Sequence, residues 1–461
     1  MRGDVDRFWR VLLMIALAGL SVRVGYVAVA KDGPCRDASG SVVHEGECLD
    51  VDGRANDQLY YHAVAQRVAA GDGFVEPFDP RRLPEPGTDP DAEHPPLAVV
   101  VLAGVSLVAD VPPLSWLGDA SHVNQHRYAL ALLGAAVVVL VGLLGRRIGG
   151  DRVGWTAAGI AAVYPFLWVN DGIIMSETVT NVTVVATLLA ALRFARRPDA
   201  ASAVVLGARG GLAALARAEL LLLGVLLAVP IALTRRTISP RARLIRAATV
   251  VSVVAVVLAP WVGYNLARFD EATFVSTNDG IALAGSNCDP VYSGGGIGLT
   301  FLAPPCLLDP IPTGDASARA KVYRERALDY VRGHLGRAPV VAAARVGRTW
   351  SLFRPGDMIE WNRGEAREPW VTRLGLAVYY PLLATAIVGA VLLGRRRRRA
   401  DLWVLLVPAV VVTVGSALTY GQIRFRAAAE PSLVVLGALA VVTAVDRVRR
   451  ESVEPSGALA H

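Results

Sequence analysis

Apolar residues gather along the chain in runs of roughly 15–20, with short arginine clusters between them. Crossing a hydrocarbon core about 30 Å thick takes about 20 helical residues at 1.5 Å each. By that measure the pattern predicts strong spans at 11–30, 128–148, 153–169, 178–194, 247–266, 374–393, 402–420 and 433–445. Two weaker runs, 200–215 and 220–234, form a tight pair and bring the count to about ten. If that pair is a re-entrant hairpin, the parity of the topology is unchanged. The segment 95–109 has about 15 apolar residues, short for a span, and reads as an interfacial helix on the outer leaflet.

Arginine placement sets the orientation. Arg2, Arg7 and Arg10 precede the first run, and Arg146, Arg147 and Arg152 lie between the second and third. Further clusters are Arg193, Arg196 and Arg197; Arg235, Arg236, Arg241, Arg243 and Arg246; 395–399; and Arg447, Arg449 and Arg450. All share one side if both termini are cytoplasmic. The first run is then an uncleaved signal anchor, interrupted by Arg23.

This organisation divides the chain into a transmembrane module at 1–266, an outward loop at 267–372, terminal helices at 373–446 and a cytoplasmic tail at 447–461. Within the first module, 31–95 is a first outward loop that leads into the interfacial helix at 95–109. Residues 31–94 hold six basic and fourteen acidic side chains, against a whole-chain net charge of +7. In the second loop, Tyr323, Ala327, Tyr330, Val331 and His334 recur at helical spacing and predict an amphipathic helix. The glycine-rich stretch at 293–298 lacks a following Lys-Ser/Thr and is not read as a phosphate loop.

Composition agrees. The chain is 53% hydrophobic and 19% charged, with mean hydropathy +0.43, where soluble domains are about a quarter charged. This excludes a disordered chain, a coiled coil and a nucleic-acid-binding domain. All but Lys31 and Lys321 of the 47 basic residues are arginine. With abundant Ala, Val and Gly, that reads as GC-rich coding. The four cysteines, Cys35, Cys48, Cys288 and Cys306, fall two in each outward loop. An oxidising compartment then implies the pairs Cys35–Cys48 and Cys288–Cys306.

Candidate chemistry sits on the same outward side. Asp57 precedes Tyr60-Tyr61, and Glu93-His94-Pro95-Pro96-Leu97 opens the interfacial segment. Asp171 and Ser176-Glu177 occupy a third outward turn. An acid such as Glu177, at the mouth of an apolar helix, is costly without a partner or a wet cavity. Arg217-Ala-Glu219 and Arg424-Phe-Arg426, followed by Glu430, are also outward, where the charge rule disfavours arginine. Internal salt bridges, Arg217 to Glu219 or Arg426 to Glu430, would explain them. So would a membrane-surface phosphate, which arginine grips with paired hydrogen bonds. Arg23 either joins that group or snorkels.

In their order and shared sidedness these motifs resemble the GT-C superfamily of membrane glycosyltransferases. The similarity is to the glycosyltransferase 39-like group, which includes protein O-mannosyltransferases and the lipid A aminoarabinose transferase. The resemblance implies an all-α polytopic GT-C-like fold with two large extracytoplasmic loops carrying interfacial helices, in a bacterial cytoplasmic membrane. It also implies transfer of a sugar from a polyprenyl-phosphate donor to a hydroxyl of a glycan, lipid or protein acceptor. Asp57 is the expected base, and Arg217, Arg424 and Arg426 are expected to meet the donor phosphate. Tyr61, Asp171 and Glu219 are expected to support them, and inversion is expected by analogy with glycoside hydrolysis. Several relatives have Asp-Glu where this chain has Asp57-Gln58, so no role for a second acid carries over. Glu93, His94 and Glu177 could bind acceptor or hold a divalent ion (Mg, Mn or Zn); otherwise His94 caps the interfacial helix. Two other readings stand beside this one. One is a lipid or solute transporter, which would place its charges near the midplane. The other is a non-catalytic scaffold on the same fold.

Overall fold

A computed structural model describes residues 2–31, 57–78, 87–117, 122–234 and 239–453. Among these residues the chain is helical, with one isolated bridge between Val75 and Pro90. Seven helices are long and apolar enough to cross a membrane: Asp6–Lys31, Val123–Gly149, Glu177–Arg196, Pro240–Leu266, Pro369–Arg395, Arg399–Leu418 and Glu430–Glu451. The weak pair is present as two shorter helices, Ala200–Ala216 and Ala218–Thr234. The run expected at 153–169 is interrupted. Its helix, Asp151–Val163, ends at an extended Tyr164, and Pro165 starts a separate single turn, Pro165–Trp168. Proline disfavours a helical residue before it and cannot donate the next helical hydrogen bond. The ten expected spans are therefore seven long helices and three shorter pieces.

The segment expected at the interface contains only Leu97–Ser106 as helix, ten residues long. That is about 15 Å, half the hydrocarbon thickness.

The arginine clusters meet at one end of the bundle. Arg196 Nη2 donates to the Arg147 carbonyl at 2.7 Å, and Arg398 donates to the Ile148 carbonyl. Arg152 pairs with Asp446 at 2.5 Å, and the Arg146 guanidinium lies 4.0 Å from the Phe8 ring. The first helix therefore begins at the same end as these clusters.

Two buried ion pairs hold the bundle. Arg23, 1% exposed, donates Nε–H to Asp171 Oδ2 at 2.6 Å and reaches the carbonyls of Gly19, Ala161 and Ala162. Thr178 completes Asp171 at 2.6 Å. Gly134 allows this approach, since a Cβ there would lie 2.0 Å from Asp171 Oδ2. Arg23 therefore neither snorkels nor joins the phosphate candidates, and Asp171 is its counter-ion.

Arg426 forms the second pair, with Glu430 Oε1 at 2.5 Å. Tyr164 O–H donates to Glu430 Oε2 at 2.9 Å, and the Arg426 guanidinium lies 3.5 Å from the Tyr379 ring centre.

The second loop is ordered by the helices Asn278–Ser286 and Ala316–Gly333. Asp315 caps the latter by accepting from the Ala318 N–H at 2.9 Å. Tyr323 and Ala327 form its buried stripe, but the expected continuation does not hold: Tyr330 and Val331 are only half-buried and His334 is exposed. Cys288 and Cys306 are disulfide-bonded; Cys35 and Cys48 lie outside the described residues.

Removing one partner of a buried pair strands the other charge, at a cost of about 3–5 kcal/mol. Asp171→Ala should therefore lower the thermal stability of the purified protein sharply. The double variant Arg23→Met/Asp171→Leu should recover much of the loss. A single variant that unfolds at the wild-type temperature would remove this pair from the forces holding the fold.

Candidate functional site

A cavity of about 860 Å³ opens at the end of the bundle away from the arginine clusters. Its walls come from three distant parts of the chain. Asp57, Tyr61 and His94 belong to the first loop and the motif that ends it; Arg217, Glu219, Arg424 and Phe425 belong to outward turns between helices. A third wall, with Asp279, Lys321 and Arg324, comes from the second loop.

Asp57 is the first residue of the helix Asp57–Ala70, where the helix dipole favours an acid. Its Oδ2 accepts from Arg424 Nη1 at 2.5 Å and lies 3.9 Å from His94 Nε2. Burial alone would raise the Asp57 pKa. Arg424 outweighs that, with His94 and Arg217 adding to it, and holds the carboxyl at about 2. His94 stacks on Tyr61 at 4.9 Å and meets the edge of Tyr60 at 5.0 Å. Pro96, with no side-chain cap, is the N-cap of the short helix, so His94 faces Asp57 instead of capping. Burial pushes its pKa down and favours the neutral ring.

Arg217 is bound to Glu219 at 2.6 Å and to Glu177 at 3.3 Å. Phe425 sits near both cationic groups, 5.3 Å from the Arg217 guanidinium and 5.7 Å from that of Arg424.

Arg424 has a second carboxylate. Its Nη1 lies 2.9 Å from Glu365 Oε2, and Gln422 bridges the two by accepting from Arg424 Nε and donating to Glu365 Oε1, both at 2.8 Å. Glu365 and the neighbouring Arg367 were missed in the sequence. The signal was present: Glu365-Ala-Arg367-Glu368 immediately precedes the helix Pro369–Arg395, the same situation that drew attention to Glu177.

The cavity does not gather every expected residue. Arg426 is consumed by Glu430, Ser351 and the Thr349 carbonyl inside the bundle, so it does not line the cavity as a phosphate ligand. Glu177, 1% exposed, lies behind the wall against Arg217 and Arg367. Glu93 belongs to an acidic group with Asp91 and Glu76. Glu93, His94 and Glu177 thus face three different surroundings. Among the described residues, no three His, Cys, Asp or Glu side chains are grouped to hold a metal ion. A divalent site of that composition does not fit this geometry.

Residues 88–273 match the profile of the family described as dolichyl-phosphate-mannose-protein mannosyltransferase. No curated protein matches the chain. The oligosaccharyltransferase AglB from Archaeoglobus fulgidus, solved with an inhibitory peptide and a dolichol-phosphate, overlays with a TM-score of 0.51 at 14% identity. The alignment covers 99% of this chain. The chain has the GT-C fold. The apo form of the A. fulgidus oligosaccharyltransferase gives 0.50 at 16% identity over 98% of the chain. The chain spans about half the length of these two relatives, 52% in each case. ArnT from Cupriavidus metallidurans, bound to undecaprenyl phosphate, gives a TM-score of 0.38 at 18% identity over 99% of this chain and 81% of its own. The family match takes in His94, Glu177 and Arg217, while Asp57, Glu365 and Arg424 lie outside it. The fold thus brings together two halves of the site that the profile does not join.

The acidic group behind the site has a pH signature. Burial, then Asp91 and Asp57, push the Glu93 carboxyl up to about 8 from an ordinary 4.5. Between those values the folded protein holds a proton that the unfolded chain has released. The corresponding stability is full below about pH 4.5 and is lost as pH rises through 8. Glu93→Gln should flatten this decline in thermal unfolding measured from pH 5 to 9. An unchanged slope would assign the decline to other groups.

Proposed function

We propose that the protein transfers a sugar from a polyprenyl-phosphate donor to an acceptor hydroxyl at the outer face of the membrane. One observation carries this reading: Asp57 and Arg424, 367 residues apart in sequence, meet on one cavity that also holds Arg217. A base and two guanidiniums are the groups that such a displacement requires. The family match to a dolichyl-phosphate-dependent transferase and the GT-C fold support the same reading.

In the proposed reaction Arg424 and Arg217 bind the donor phosphate and stabilise the charge it gains on leaving. The acceptor oxygen attacks the anomeric carbon, and the carbon–oxygen bond to phosphate breaks with its electron pair going to the phosphate. The hydroxyl proton passes to Asp57. Attack opposite the leaving group inverts the anomeric centre. While Arg424 is bound to Asp57, the carboxylate is a weak base. Transfer of Arg424 to the phosphate would free it, which ties base strength to donor binding.

The apolar side of the cavity, with Leu221, Val412 and Phe425, suits the start of a lipid tail. The wall bearing Asp279, Lys321 and Arg324 is the approach we assign to the acceptor. A cavity at the bundle end opposite the arginine clusters supports a cytoplasmic membrane location of bacterial type, with both termini cytoplasmic and the site outside.

Asp57→Asn should fold and insert but lose transfer from a polyprenyl-phosphate sugar in membranes, by about 10²–10⁴ in rate. Arg424→Ala and Arg217→Ala should raise the donor concentration needed for half-maximal rate, and lysine at either position should restore it only in part. Near-wild-type turnover by Asp57→Asn would dismiss Asp57 as the base. Normal turnover by all three variants would turn the reading towards a non-catalytic scaffold.

A further inference from the structure

The charges on the cavity wall and just behind it present an electrostatic difficulty for an anionic ligand. Arg217, Arg367 and Arg424 face Asp57, Glu177, Glu219 and Glu365, three guanidiniums against four carboxylates. A phosphate that takes Arg424 must therefore displace a carboxylate already there. A displaced carboxylate needs another donor, because leaving it buried and unpaired is costly.

Asp57 has one such donor nearby, His94 Nε2 at 3.9 Å, a buried nitrogen without a hydrogen bond, and Glu365 has another, which is a permanent cation. Arg367 is 3% exposed, and its Nη1 makes no hydrogen bond although it lies 3.8 Å from Glu365 Oε2. Its Nη2 is already engaged, donating to Asn170 Oδ1 at 3.1 Å. Arg367 is thus fixed in place with one donor unused beside Glu365. Gln422 holds the other Glu365 oxygen at 2.8 Å and can serve as the pivot. Closing 3.8 Å to a normal hydrogen bond of about 2.9 Å requires only a side-chain turn of roughly 1 Å.

The loop carrying these residues is well anchored. Lys31 pairs with Glu368 at 2.5 Å and donates to the Ala366 carbonyl at 2.7 Å, and Tyr26 O–H donates to Glu368 at 2.7 Å. Movement therefore falls on the Glu365 side chain and not on its backbone.

We propose that Glu365 is a movable counter-charge: it holds Arg424 until an anionic phosphate takes that arginine, and then passes to Arg367. This rests on the donor-phosphate role given to Arg424 above. Glu365 is a positioning residue in this scheme, acting through Arg424. By competing for Arg424 it also limits how tightly the phosphate left after transfer is retained. The two arginines and the carboxylate between them form an exchange in which every charge keeps a partner in both arrangements.

The test is binding of undecaprenyl phosphate to the full-length protein in nanodiscs, with undecaprenol as the uncharged control. Glu365→Gln keeps the bond to Gln422 and removes the competing charge, so it should tighten phosphate binding about three- to tenfold, the scale of one partly screened charge contact. Arg367→Lys keeps the charge but loses the second donor, so it should weaken binding by a similar factor. In the double variant the Arg367 effect should disappear, since there is no carboxylate left to receive. A purely structural role for Glu365 predicts the opposite sign for Glu365→Gln: binding weakened in parallel with stability. Unchanged or weaker binding in that variant would overturn the exchange. If the wild type binds undecaprenyl phosphate no better than undecaprenol, the donor reading itself fails. If Glu365→Gln does not fold, an undiminished affinity in Arg367→Lys is sufficient to overturn the proposal.

Discussion

An arginine buried among apolar helices must be answered by a carboxylate, because an isolated charge in that medium costs several kcal/mol. Arg23 with Asp171 and Arg426 with Glu430 meet this requirement inside the bundle. Each joins elements far apart in sequence or locks a helix start to its neighbours, and each is completed by hydroxyl or carbonyl partners. At the cavity the same requirement is met differently. Arg424 faces two carboxylates and Arg217 faces two, with one buried guanidinium nitrogen of Arg367 and one oxygen of Glu177 left without a hydrogen bond. The Arg23–Asp171 pair is closed, whereas Arg426 keeps one buried nitrogen, Nη2, without a hydrogen bond, as Arg367 and Glu177 each keep one atom.

What separates the two groups is contact with the cavity wall. Arg426 is two residues from Arg424, yet its guanidinium lies between Glu430 and the Tyr379 ring and has no route to the cavity. Arg424 has its neighbours on the cavity wall. Glu177 opens one long helix and Glu365 stands four residues before another, but Glu177 is enclosed and supports Arg217, while Glu365 remains about one-fifth exposed beside Arg424. The turns before these helices decide which charge is held permanently and which can exchange.

Much of this was legible in the sequence. Hydrophobic run length gave the long helices, the arginine clusters gave their common end, and the short apolar run at 95–109 folds as the ten-residue helix Leu97–Ser106. The spacing of Tyr323 and Ala327 gave the buried face of the second-loop helix. Arg217 and Arg424 stood out because an arginine on the disfavoured side asks for a partner, and Asp57 because it precedes Tyr60-Tyr61 in the first outward loop. What the sequence did not carry was direction. Whether Arg426 or Arg424 faces the cavity, and whether Arg23 meets Asp171 or solvent, depends on helix rotation over less than one turn. A run of apolar residues with no polar face leaves that rotation unspecified. The break at Tyr164-Pro165 was readable from its proline, but the apolar run on either side hid it.

The cavity wall from the second loop is fastened unlike the charges around Arg424. Lys321 meets Glu271 and Arg324 meets Asp279, both at 2.7 Å and with all four side chains more than two-fifths exposed. Such pairs contribute little to stability. That wall can therefore drift in sequence while the enclosed charges beneath it stay constant, and the Cys288–Cys306 bond tethers the loop throughout. If this wall receives the acceptor, as proposed, a lineage could change that acceptor by altering a few exposed side chains, with the charges around Asp57 and Arg424 left untouched.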